Sequence, residues 1–260
     1  MKCNTYYGDH IFYDDMNKAI QTEDITFYNK YLKNNMRALE VACGTGRLSK
    51  EIYEHVNEYI GLDYSTDMLE IAKTKNRNVQ YIWGDMRNLE KEKLGMFDII
   101  ICGFNSLQHL KNDEDIDNFL KSCDNVLRNK GLLIIDIFNP DMRFLNIKEI
   151  KEYRYSFYSE YYKDNIDLYE IRKYDKTTRI NYLTNIYVNE KLNVNIESNT
   201  FMRQYFPGQL EELINKSNFS IKEKIVITMN LIFNLQNRFL YYKNQMVNKP
   251  PEAIKVSPVM

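Results

Sequence analysis

Ala38-Leu-Glu-Val-Ala-Cys-Gly-Thr-Gly46 runs from an apolar, strand-like segment into a turn with two glycines, and its reading decides the fold of this 260-residue chain. Beyond it, Arg47 to His55 reads as a helix, with Leu48, Ile52 and the following Val56 on one face. Strand, glycine turn and helix form the first half of a nucleotide-binding βαβ unit. Glycine at 44 and 46 lets the backbone turn tightly and lets a ligand approach the main chain where a Cβ would intrude. Asp63 ends the next strand-like run, seventeen residues after Gly46, where a carboxylate can accept both hydroxyls of a ribose.

A glycine turn followed by an acid also describes a dinucleotide dehydrogenase. That fingerprint, G-x-G-x-x-G, seats a pyrophosphate on the helix N-terminus and requires glycine at position 49, which is Ser49 here. Glu40 stands just ahead of the turn, where it repels a phosphate and attracts an ammonium group. A third acid, Asp85 in Trp83-Gly-Asp-Met-Arg87, completes the set. The implied ligand carries a cationic amino-acid end and a ribose, as S-adenosylmethionine does.

The residues resemble the class I S-adenosylmethionine-dependent methyltransferases over roughly 36 to 140. The strand-one motif of that family, acid-x-Gly-x-Gly-x-Gly, reads here Glu40-Val-Ala42-Cys43-Gly44-Thr-Gly46, with alanine for the first glycine. Its second acid corresponds to Asp63 in Gly-Leu-Asp-Tyr64-Ser-Thr-Asp-Met68-Leu, and its adenine-contacting acid to Asp85 beside Met86. The region after its fourth strand corresponds to Phe97-Asp-Ile-Ile-Ile-Cys-Gly103-Phe104-Asn-Ser-Leu-Gln-His109-Leu110, and Leu127 to Asp136 to its helix-to-strand-five junction. The resemblance implies S-adenosyl-L-methionine as cofactor. It also implies a binding set of Tyr13, Glu40, Ala42, Cys43, Gly44, Gly46, Asp63, Tyr64, Met68, Asp85, Met86, Gly103 and Phe104. Met68 and Met86 would be apolar walls for an adenine, although methionine at helical spacing is commonly core. Tyr13 could serve equally as a packing residue.

Composition sets bounds. The chain is 44% hydrophobic and 27% charged, as expected of a globular protein, and is long enough for one large domain, or for one large and one small. Thirty-five basic against 36 acidic residues leave no general basic field for nucleic acid, although a local patch stays open. Cysteines 3, 43, 102 and 123 have neither zinc-ligand spacing nor a secreted pattern, so reduced thiols and no metal site are expected. No run approaches the ~18 apolar residues of a membrane span and no signal segment stands at the start, so a cytoplasmic location is expected.

Along the chain, residues 1 to 35 hold a helix-like stretch, Glu23 to Lys33, and are expected to cap the cofactor. Apolar runs near 37–42, 58–63, 78–83, 97–103 and 131–138 alternate with helix-period stretches, giving an α/β, Rossmann-like parallel sheet with helices on both faces. The crossover rule gathers the glycine turn, Asp63, Asp85 and Phe104 at the carboxyl edge of that sheet. Residues 151 to 200 change period. Tyr153, Tyr155, Phe157, then Ile166, Leu168, then Ile180, Tyr182, Ile186, Val188 alternate with polar residues, predicting an inserted antiparallel β lid. The core then resumes over 201–243, with a helix after Pro207, a strand over Phe219 to Ile227 and an antiparallel one near Asn237 to Tyr242; 244–260 reads as a tail. The family resemblance makes this a seven-stranded, mostly parallel sheet. The whole pattern is similar to bacterial small-molecule enzymes, notably deoxyaminosugar N,N-dimethyltransferases, whose inserted sheet covers the active site and contributes to a homodimer contact.

For chemistry, methyl transfer to N or O is an in-line displacement, and a base must take the proton of the acceptor. His109, in the loop after strand four, is the candidate, with a surface or helix-start histidine as the competing account. Asn139-Pro140 reads as a strand exit. The function expected is methylation of a small-molecule acceptor. Methylation of tRNA or protein, and a non-catalytic S-adenosylmethionine-binding regulator, remain the alternatives.

Overall fold

Leu39, Val41, Ile99, Ile100 and Ile101 have no exposed surface, the condition of strands covered on both faces in the middle of a parallel sheet. The computed structural model describes residues 10–18, 23–138, 140, 149–206, 208–231, 234–238 and 256–258. Asn139, Pro207 and most of the expected tail lie outside them. The chain divides into two units, residues 1–21 with 140–204, and residues 22–139 with 205–260.

The second unit holds α2 (Glu23–Asn29), β1 (Arg37–Val41), α3 (Ser49–Tyr53), β2 (Glu58–Asp63), α4 (Thr66–Lys75), β3 (Gln80–Trp83), β4 (Phe97–Cys102), α5 (Asp113–Val126) and β5 (Leu127–Ile135). The strands pair in parallel in the order β3-β2-β1-β4-β5. The chain therefore reverses its winding between β1 and β4, and ligands of such sheets bind at that switch point, outside the carboxyl ends of the strands. Alternate strand residues feed two cores. Leu39, Val41, Ile100 and Cys102 join Ile116, Phe119, Leu120 and Cys123 of α5. Ala38, Ile99 and Ile101 join Phe27 and Tyr28 of α2, Ile52 of α3, and Leu69 and Ala72 of α4.

Local chemistry sets the helix ends. Ser65 accepts from Met68 N at 3.3 Å to start α4, and Asn112 accepts from Asp115 N at 2.8 Å to start α5. The helix expected over Arg47 to His55 is only the five residues of α3, because the glycine turn runs to Leu48 and the His55 ring caps the far end on Glu51 O at 2.6 Å. The one expected over Glu23 to Lys33 stops at Asn29 and continues as tighter turns, Tyr31 N bonding Tyr28 O at 2.9 Å. The fifth strand starts at Leu127, before the expected 131, since Leu127 pairs with Phe97 across an irregularity around Lys130, whose φ is 66°.

Further along, α6 (Gln209–Asn215) begins at Gly208, whose N–H donates to Glu211 Oε2 at 3.0 Å. The expected sixth and seventh strands do not extend the five-stranded sheet among the described residues. Instead β10 (Lys224–Leu231) is paired on one edge by β11 (Asn234–Arg238) and on the other by β12 (Val256–Pro258), which uses both its rows of backbone groups in a sheet of its own.

The first unit is an antiparallel meander, β6 (Ile150–Ser159), β7 (Asp164–Asp175), β8 (Ile180–Asn189) and β9 (Val194–Arg203), in simple sequential order, with α1 (His10–Asn17) on one face. Each of its three turns spans four residues and closes on a left-handed residue, Lys163, Arg179 or Asn193. Phe12 of α1, wholly buried, stacks on Tyr187 with ring centroids 4.4 Å apart and meets Phe157 edge-on at 5.8 Å. Ile166, Leu168 and Val194 complete that core. On the other face Tyr153, Tyr158 and Tyr182 stay exposed. No helix of the described residues is long and apolar enough to cross a membrane.

Candidate functional site

The glycine turn leaves the carboxyl end of β1 through three left-handed residues, Ala42 (φ 54°), Gly44 (φ 56°) and Gly46 (φ 70°). Only glycine takes this conformation without cost, so Ala42, where the resemblance expects glycine, is strained by about 1 kcal/mol. Replacing it by glycine relieves that strain but loosens the unfolded chain by nearly as much, for a net gain of about 0.5 kcal/mol. Ala42→Gly should therefore raise the urea midpoint slightly at unchanged slope; a lower midpoint would show that the methyl group of Ala42 contributes packing that outweighs its strain. A Cβ on Gly44 would meet nothing within 4 Å, so the main chain is bare on that side. At Gly46 a Cβ would sit 2.6 Å from Tyr81 Oη and 2.8 Å from Ser49 Oγ.

Two buried carboxylates flank this turn. Asp63, at the end of β2, accepts from Gly44 N and from Ser65 N, both at 2.7 Å, and so ties the turn to the neighbouring strand. Burial raises its pKa, with the backbone N–H groups opposing the shift. Glu40 of β1 is 4% exposed, and its Oε2 accepts the phenol proton of Tyr59 on β2. Cys43 is buried between these acids; burial, then the Glu40 and Asp63 charges, push its pKa well up and keep it a thiol.

At the β2–β3 end Tyr64 and Trp83 form an exposed aromatic pair, centroids 5.6 Å apart, fixed by Trp83 Nε1 donating to Tyr64 O at 2.9 Å. Met68 of α4 is buried, and Met86 packs against the core on the β1 and α5 side. Asp85 is engaged within the chain: Arg87 donates from its backbone N at 2.9 Å and from its guanidinium at 2.6–3.1 Å, and reaches on to Asp115 Oδ1 at 2.5 Å. Burial raises the Asp85 pKa, but the Arg87 bonds outweigh it and leave the carboxyl below its ordinary value.

After β4, Gly103 leaves room that a Cβ would close against Tyr28 Oη at 2.8 Å, and Phe104 and Asn105 are both left-handed. Asp136, just past β5, holds this loop, its Oδ2 accepting from Tyr28 Oη at 2.7 Å and Phe104 N at 3.2 Å. Arg47 lies over the Phe104 ring at 4.6 Å, joining the β4 loop to the glycine turn. His109 ends the short 3₁₀ turn Ser106–His109 and is half-buried.

The expected residues of the second unit thus share the carboxyl edges of β1, β2, β3 and β4. Tyr13 belongs to α1 of the first unit, where its carbonyl accepts from Asn17 Nδ2 at 2.7 Å. Sequence reasoning missed Tyr59, Arg87 and Asp136. Asp136 had a signal, because an acid closing the apolar run Leu132 to Ile135 is the same pattern that marked Asp63. A shallow depression at the β7–β8 turn, lined by Lys173, Tyr174, Asp175, Lys176 and Tyr182, includes none of these residues.

Residues 38–131 match the family model of a methyltransferase domain. A putative methyltransferase, YqeM, of Bacillus subtilis is 31% identical over 136 residues, covering 51% of this chain and 55% of that protein. The demethylmenaquinone methyltransferase of Staphylococcus saprophyticus is 34% identical over 135 residues, 47% and 55% of the two chains. The chain thus spans about half the length of these curated relatives. The crystal structure of an S-adenosylmethionine-dependent methyltransferase from Clostridium acetobutylicum superposes with a TM-score of 0.70 over 90% of this chain and 96% of that one, at 19% identity, a likeness of fold.

Proposed function

We propose that the methyltransferase domain over residues 38–131 binds S-adenosyl-L-methionine and that the chain transfers its methyl group to N or O of a small-molecule acceptor. The observation that carries this is the pair of buried carboxylates, Glu40 and Asp63, on either side of one bare glycine turn at a sheet switch point. Asp63 would accept the ribose hydroxyls and Glu40 would attract the ammonium group, while the main chain at Gly44 leaves room between them. When bound, the cofactor supplies a methyl carbon made electrophilic by its sulfonium.

What remains for the chain is to orient the acceptor, exclude water and take a proton. Gly103, Phe104 and Asn105, held by Asp136, would wall the methyl end, with Tyr64, Met68, Met86 and Asp85 toward the adenine. Asp85 would act there from its ion pair with Arg87. The small-molecule acceptor is supported by the demethylmenaquinone methyltransferase among the relatives and by the near-neutral charge. The narrower deoxyaminosugar-like kinship, with homodimer contact through the meander, is supported by the inserted four-stranded sheet.

The test is to incubate the purified chain with methyl-labelled S-adenosylmethionine and a cell extract. Label in the small-molecule fraction is expected; label in tRNA or protein would overturn the acceptor assignment, and absence of cofactor binding would overturn the whole. His109→Ala should lower turnover by about a hundredfold, the scale of a lost general base, at unchanged cofactor affinity. If turnover is untouched, His109 is not the base.

A further inference from the structure

We infer that Tyr59 and Ser49 are positioning residues that aim the Glu40 carboxylate at the ammonium group of the cofactor, an assignment that rests on the cofactor reading above. The three side chains come from different elements, Ser49 from the start of α3, Tyr59 from β2 and Glu40 from β1, and all are buried: Ser49 is 0%, Tyr59 3% and Glu40 4% exposed. Ser49 Oγ lies 3.2 Å from Tyr59 Oη, and Tyr59 Oη donates to Glu40 Oε2.

The direction of this chain is determined. Burial, followed by the nearby Glu40 charge, pushes the Tyr59 phenol well above its ordinary pKa, so it keeps its proton, and a phenol has one proton to give. Tyr59 donates that proton in its hydrogen bond to Glu40, which leaves Tyr59 Oη as acceptor and Ser49 as donor. The result is a one-way relay, Ser49 to Tyr59 to Glu40, that ends on the carboxylate.

Ser49 also stands where a dinucleotide fingerprint has its third glycine. A glycine there would let helix and strand approach closely; serine instead provides the first donor of the relay. Gly46 is fitted to the same group, because a Cβ on it would lie 2.8 Å from Ser49 Oγ. The position that removes the phosphate-binding pattern therefore supports the acid that replaces it.

The experiment is calorimetric binding of two ligands, S-adenosylhomocysteine and 5′-methylthioadenosine, which share the nucleoside thioether but differ in the amino-acid end. Tyr59→Phe keeps the ring and removes the donor. It should weaken S-adenosylhomocysteine about tenfold, the scale of one hydrogen bond to a charged group, and leave methylthioadenosine within about twofold. Ser49→Ala removes only the first donor, should act in the same direction by about threefold, and serves if Tyr59→Phe does not fold. Equal losses for both ligands would show a merely structural role and overturn the assignment, as would a ratio that neither substitution moves. A wild-type chain that binds neither ligand overturns the cofactor reading and this assignment together; one that binds both with an unmoved ratio overturns this assignment alone.

Discussion

Asp63→Ala is expected to reduce cofactor affinity by about a hundredfold or more, the loss of two charge-assisted hydrogen bonds to ribose hydroxyls, while circular dichroism reports a folded chain. The same carboxylate ties Gly44 to the end of β2, so the turn loosens as the ligand contact is lost. Unchanged affinity by calorimetry would remove the cofactor assignment. Asp63 also gives the site a pH dependence. Its folded pKa is raised by burial, so the folded state holds the proton more tightly than the unfolded one. Acidification through that raised value turns Asp63 into a poorer acceptor, and affinity should fall at a pH higher than an unperturbed aspartate would give. The contribution of the group to folding moves the other way, because ionising it in the fold is what burial penalises. A cofactor affinity that is flat down to the ordinary aspartate pKa would contradict the role of Asp63.

Gly46→Ala should be the most damaging single-methyl change in the turn. It places a Cβ 2.6 Å from Tyr81 Oη, 2.8 Å from Ser49 Oγ and 3.2 Å from the Cβ of Ala72, in a left-handed conformation that already disfavours alanine. Backbone strain of about 1 kcal/mol and overpacking of about 2 kcal/mol together predict a loss near 3 kcal/mol by urea unfolding. Displacing Ser49 would weaken cofactor binding as well. A variant with wild-type stability would mean that Tyr81 and Ser49 can both move aside.

The five core strands were legible because each is a short apolar run bounded by polar or glycine residues, and the tight turn because two glycines follow the first of them; that Asp63 also holds this turn, through Gly44 N and Ser65 N, needed the fold. Helix ends were less so: nothing in Arg47 to His55 announces that the turn absorbs its first two residues or that the ring of His55 caps its end. Tyr59 was hidden for a general reason. An aromatic residue in a strand is ordinary, and only the pairing of Glu40 with Gly61, Tyr59 lying two residues before, brings it beside the acid. Asp85 and Arg87 are two residues apart and their pairing could have been foreseen; their link to Asp115 on α5 needed the fold. The fate of β10 was not readable, since strand patterns do not state which edge they will join.

Phe12 completes a core whose other members, Phe157, Ile166, Leu168, Tyr187 and Val194, lie about 150 to 180 residues later in the chain. On the ribosome α1 precedes β6 to β9, and the surface that covers Phe12 is complete only once β9 has emerged, whereas β1 to β5 can pair as they are made. α1 thus completes its docking after the strands β1 to β5 that follow it in the chain. Until then the apolar side of α1 lacks its cover, and a defect in the meander would leave that side exposed and prone to aggregate.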